Sequence, residues 1–115
     1  MSLFTELEIR RIEKYVGAFC ENRVPPHART QVKLFFIIKQ NNVIIIESRP
    51  HFKNPEQWSE MPIAKLSYDN DSLKWSLFWS DAKSDWNIYP EFLPTNDLKI
   101  IINELEEDPY HFFWG

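Results

Sequence analysis

Glycine is almost missing from this chain: Gly17 and Gly115 are the only two among 115 residues. A glycine-rich loop of the kind that cradles phosphate groups is therefore excluded. Cysteine is scarcer still, since Cys20 stands alone and can form no internal disulfide. The opening MSLFTELEIRR also lacks the apolar run of a secretory signal, so the expected home is a reducing compartment, the cytoplasm. Long hydrophobic runs are lacking too. The longest, Leu34-Phe-Phe-Ile-Ile38 and Val43-Ile-Ile-Ile46, have strand length and are far too short to cross a bilayer, so no membrane association is expected. What is abundant is apolar and aromatic, with 43% hydrophobic residues, which is the usage of a folding chain rather than a disordered one. The length suits one hydrophobic core, and residues 1–115 are read as a single domain.

Charge is unevenly placed. Residues 1–54 carry nine Lys/Arg against five Asp/Glu, whereas 55–115 carry four against twelve, within a net charge of −4. Such asymmetry can steer a charged partner or favour head-to-tail contact, though ordinary solvated surface charge explains it as well.

The first element is a helix opened by the capping box Thr5-x-x-Glu8, with Phe4 and Ile9 placed for a hydrophobic staple. Its apolar stripe is Ile9, Ile12, Val16 and Phe19, with Tyr15 beside them, and it ends before Pro25-Pro26. A change to strand pattern follows. A hairpin has arms at about 31–39 and 43–49 around Gln40-Asn41-Asn42, where asparagine tolerates positive φ. Its first arm is apolar on both faces, so the second face needs a cover. After a loop with Pro50, Pro55 and Pro62, three shorter strands are expected at about 63–68, 73–79 and 86–89, giving a five-stranded antiparallel meander. A last helix begins after Pro94, with Thr95 or Asn96 as cap, buries Leu98, Ile101, Ile102 and Leu105, and stops at Pro109. The fold class is α+β, with both terminal helices packed against the sheet. The bulky ending Tyr110 to Gly115 must dock, on its own sheet or on a neighbouring subunit.

The residues Glu47-Ser-Arg49-Pro50, the stretch Pro62 to Tyr68, Trp75-Ser-Leu-Phe-Trp79 with Asp81 and Trp86, and the ending from Asp108-Pro109 to Phe113-Trp-Gly115 are together distinctive. On them the chain resembles the bacterial family known as domain of unknown function 3024, over nearly its whole length. The resemblance implies a self-contained domain and a small accessory protein of the kind carried on mobile integron gene cassettes. It implies no activity, cofactor or catalytic residue.

Several constellations carry chemistry, each beside a plainer reading. Trp75, Leu77 and Trp79 share one face of a strand, which Trp86 and Ile88 are expected to extend across the next hairpin. Exposed and flanked by Lys74 and Lys83, that face suits base stacking or a protein partner; covered, it is core, which average tryptophan burial favours. Lys33 and Lys39 lie on one face of the first arm, and Arg49 is expected to join them in a positive patch, unless the lysines simply guard a sheet edge. Glu47, Arg49 and Lys65 resemble part of a Glu-x-Lys nuclease arrangement, but the same residues make ordinary cross-strand ion pairs. His27, His51, His111 and Cys20 show no metal-ligand spacing, so no metal and no cofactor are expected. Cys20 reads as a small buried hydrophobe rather than a nucleophile. Glu104, Glu106, Glu107 and Asp108 crowd a helix C-terminus where the macrodipole disfavours them, and a cationic partner would offset that cost.

The resulting expectation is a non-enzymatic interaction protein that self-associates as a homodimer through aromatic surface and the tail residues Tyr110, Phe112, Phe113 and Trp114, or docks another protein. Nucleic-acid binding through the basic first hairpin is the first alternative, and a metal-dependent hydrolase or nuclease around Glu47 the second.

Overall fold

A computed structural model describes residues 3–114; Gly115, the last position of the family-like ending, lies outside them. The N-terminal helical stretch runs as α1 (Glu6–Ile12), a π-helical turn (Glu13–Gly17) and α2 (Ala18–Arg23). The expected capping box is present: the Thr5 amide donates to Glu8 Oε1 at 2.8 Å, and the Glu8 amide donates to Thr5 Oγ1 at 3.2 Å. Five strands follow, β1 (Lys33–Lys39), β2 (Asn42–Pro50), β3 (Trp58–Asp69), β4 (Lys74–Ser80) and β5 (Trp86–Ile88), and then α3 (Leu98–Glu107). All pairings are antiparallel and the spatial order is β1-β2-β3-β4-β5, so the meander and the α+β class hold as expected.

Three local expectations are corrected. Between β1 and β2 the left-handed residue is Gln40, at φ 57°, rather than an asparagine. Asn41 serves differently: its side chain donates to the Tyr68 carbonyl at 2.8 Å and ties the hairpin to β3. Strand β3 begins at Trp58, not near Ile63, because Pro62 is accommodated at a bulge. The register slips there between Ile45 and Ile46, and β2 carries on pairing as far as Pro50↔Trp58. The cap of α3 is Asp97, whose carboxylate accepts the Lys99 amide at 3.0 Å, while Thr95 forms a two-bond bridge with Trp75 that completes the edge of β4.

Alternation along the strands sorts their side chains onto two faces. On the inner face Val43, Ile45, Ala64, Leu66, Trp75 and Leu77 are buried against Ile12, Val16 and Phe19 of the N-terminal helix and against Leu98, Ile101 and Leu105 of α3. Leu34, Phe36, Ile38, Tyr68 and Trp79 flank that core. Both helices therefore sit on one side of the sheet, and among the described residues no helix is long and apolar enough to cross a membrane.

Candidate functional site

Register decides which candidate residues share a face. Lys33 pairs with Ser48, so Arg49, one residue further on, points to the opposite side and does not join Lys33 and Lys39. Lys65 pairs with Ile44, not with Glu47, and these two also lie on opposite faces. In the last hairpin Ser80 pairs with Trp86 and Trp79 with Asn87. Trp86 and Ile88 thus leave the Trp75-Leu77-Trp79 face instead of extending it. The loop between them is organised by Asp81, whose carboxylate accepts the Asn87 side chain and the Asp85 and Lys83 amides at 2.9 to 3.0 Å and is held below its ordinary pKa by them.

Two places result. The first is an inner cleft of about 220 Å³ at the sheet's β1–β2 end, lined by Arg23, Leu34, Glu47, Arg49 and Trp114 among others. Arg49 Nε donates to Glu47 Oε1 at 2.8 Å, and that carboxylate raises the Arg49 pKa above its ordinary value. The guanidinium of Arg23 lies 4.0 Å above the Trp114 ring, whose Nε1 donates to the Leu105 carbonyl at 2.7 Å. Glu47 and Arg49 occupy each other, and Arg23 occupies Trp114. The cleft therefore holds the tail.

The rest of the tail is likewise spent within the chain. Phe112 stacks on Trp79 with ring centroids 4.3 Å apart, and Phe113 is buried against Tyr89. Asp108, buried and left-handed at φ 41°, accepts the Phe113 and Trp114 amides at 3.2 and 2.9 Å. Glu104 accepts the Tyr89 hydroxyl at 2.6 Å, and burial together with this bond raises the phenol's pKa well above its ordinary value. Two of the four acids at the end of α3 therefore have partners built into the fold. Tyr110, half-exposed, donates to Glu91 at 2.9 Å. Cys20 is buried, and desolvation pushes its thiol up to about 12.

The second place is the outer face of the sheet. It carries Phe35 and Ile37 on β1, Ile44 and Ile46 on β2, Lys65 on β3, Phe78 on β4, and Trp86 and Ile88 on β5. Among the described residues none of these eight belongs to the core cluster, and no helix packs over them. Ile46 is buried beside Phe35 and Pro62, whereas Ile37 and Ile88 are 41% and 69% exposed. Lys65 sits at the centre of the sheet with its ammonium 4.6 Å from the Phe78 ring centre and 5.3 Å from that of Trp86. Near the other end the Lys33 ammonium lies 4.4 Å from the centre of the Trp58 ring. Trp58 was not among the sequence candidates, because its stretch reads as a proline-rich loop.

A larger hollow of about 630 Å³ opens between α1, the β3–β4 turn and the start of α3, lined by Glu8, Arg11, Tyr68, Trp75, Asp97 and Lys99 among others. Its charges are of both signs, and desolvation together with the nearby Glu8 raises the Tyr68 pKa.

No curated protein and no solved structure matches this chain. The family described as Domain of unknown function (DUF3024) matches over residues 4–115. With nearly all of its length matched, the chain belongs to the DUF3024 family.

Proposed function

We propose that this protein is a non-enzymatic interaction protein that docks an anionic partner on the outer face of its sheet. The observation that supports this reading is an uncovered apolar face with a lysine at its centre. Apolar side chains facing water in a contiguous patch mark interaction surfaces, and here the patch is built on β-strands rather than on mobile loops.

A second copy of the chain is a poorer occupant than an anionic molecule. The tail, one of the expected supports for self-association, is docked inside its own chain through Phe113 and the Asp108 carboxylate. Edge pairing of two β1 strands in full antiparallel register would set Lys33 against Lys39 of the other copy at both ends, and like charges directly opposite are destabilising. Face-to-face packing would take Lys65 out of water. The effective penalty for a desolvated ammonium is on the order of several kcal/mol, while an aromatic face returns only about 2 kcal/mol. A partner that brings negative charge to Lys65 offsets that penalty through charge pairing.

The test is whether the face is needed by the chain itself. Ile37→Thr with Ile88→Thr should keep the urea unfolding free energy within about 0.5 kcal/mol of the parent, as for surface positions, and the purified protein should sediment as a monomer. A loss of about 2 kcal/mol or more, the signature of a core position, or a stable dimer would overturn the reading.

A further inference from the structure

We infer that the partner of the outer face is a single-stranded nucleic acid. The inference rests on the docking reading above and adds the chemistry of the occupant. By register the face holds four lysines, Lys33, Lys39, Lys65 and Lys74, against two carboxylates, Glu60 and Asp69. It is net positive in a chain whose net charge is −4, so the excess of acid lies elsewhere, on the helical side and in the loops. A layer of sheet separates the helical acids from the outer face, and at about 0.1 M salt the Debye length of about 10 Å screens much of their field.

Charge alone would suit any polyanion; the interleaving narrows it. Two of the lysines stand against aromatic rings, Lys33 against Trp58 and Lys65 against Phe78 and Trp86. A nucleotide presents the same pair of features, a phosphate beside a flat π-face, and single strands offer those faces free for stacking. Duplex bases are already stacked on each other, and a broad sheet face does not enter a groove as a helix or a two-stranded ribbon does. An acidic peptide would satisfy the lysines but leave the rings without flat partners. The five strands span about 19 Å at their usual spacing, room for several nucleotides.

Fluorescence anisotropy with labelled single-stranded DNA and RNA of about 12 nucleotides, within the length range bound by single sheet-based modules, tests this. Binding at about 20 mM salt should weaken steeply toward 200 mM, with a log–log slope of about −2 to −3 for up to four phosphate contacts. Lys65→Gln should lower the magnitude of that slope by about one, and Lys65→Arg should restore it. Trp86→Leu should weaken binding about fivefold or more at every salt concentration, while Lys99→Gln, in the first turn of α3, should change nothing. Thermal melts of each variant separate loss of binding from loss of fold. Absence of binding at low salt, equal binding of duplex, or equal binding of polyglutamate would overturn the inference. If the strands fail to bind while Ile37→Thr with Ile88→Thr leaves stability unchanged, the nucleic-acid assignment falls and the docking surface stands; if that pair unfolds the protein, the docking surface falls as well.

Discussion

The two faces of this sheet are built from similar residues and put to different use. The inner face sets Val43, Ile45, Leu66, Trp75 and Leu77 against the two terminal helices and a folded-back tail, and every one of these side chains is buried. The outer face sets Phe35, Ile37, Ile44, Phe78, Trp86 and Ile88 around one lysine, and among the described residues no helix covers them. Hydrophobic composition is thus a poor guide to which face is core. What separates the faces is the position of the helices, and the open one carries Lys65 near its middle.

The largest effect that would sharpen the contrast is deletion on the inner side. Ile45→Ala should cost about 2–5 kcal/mol of unfolding free energy, because it leaves a cavity among fully buried neighbours. An equal loss for Ile37→Ala on the outer side would erase the difference between the faces. Next in size is Asp108→Ala. It strips the acceptor from two amides, of which Phe113's is buried, and should cost about 1.5–3 kcal/mol. The tail would then become sensitive to carboxypeptidase; resistance would show that ring packing alone holds it. A smaller change of opposite sign is expected at Gly17. A Cβ there would meet Phe36 at an ordinary 3.5 Å, and Gly17→Ala within the helical stretch should stabilise by about 0.5–1 kcal/mol, read from urea denaturation.

The pH dependences of Cys20 and of the two loop aspartates are smaller. The Cys20 thiol is raised, so its thiolate is disfavoured in the fold. The stability involved is intact below the ordinary thiol pKa and declines as pH rises from there toward about 12. Accordingly, alkylation of the native protein near pH 8 should proceed only as fast as it unfolds, and rapid labelling would mean that Cys20 is reachable. Asp69 and Asp81 are lowered, by the Asp71 amide and by the Asn87 side chain respectively. Their contribution is present above the ordinary carboxylate pKa and is lost as pH falls through the folded value. Amide exchange at Asp71, Lys83 and Asp85, extrapolated to a common pH, should show protection lost only in acid.

Much of the architecture was legible because its signals are local. Thr5 and Glu8 announce the first helix by a spacing that only a helix satisfies, and Leu98, Ile101 and Leu105 give the buried stripe of the last. Period-two alternation also placed Trp75, Leu77 and Trp79 together on one face. The candidate sites were less legible, because alternation fixes faces within a strand and not between strands. Whether Trp86 joins Trp79 depends on the Ser80↔Trp86 pairing, which the Asp81 loop sets, and a shift of one residue would have sent it the other way. The same holds for Arg49 beside Lys33. The bulge at Pro62 hid half of β3 and with it Trp58, since proline within a strand reads as a break. The acids of α3 looked like a demand for an outside cation, yet Tyr89 and the tail amides meet two of them; contacts so distant along the chain leave no local trace.

Among the described residues the helices cover one face of the sheet and leave the other open. Hydroxyl-radical footprinting of the purified chain at low concentration, read by mass spectrometry, tests it directly. Phe35, Phe78, Trp86 and Ile88 should be oxidised readily while Trp75, Leu77 and Phe113 stay protected; equal protection of both sets would mean that the outer face is covered too.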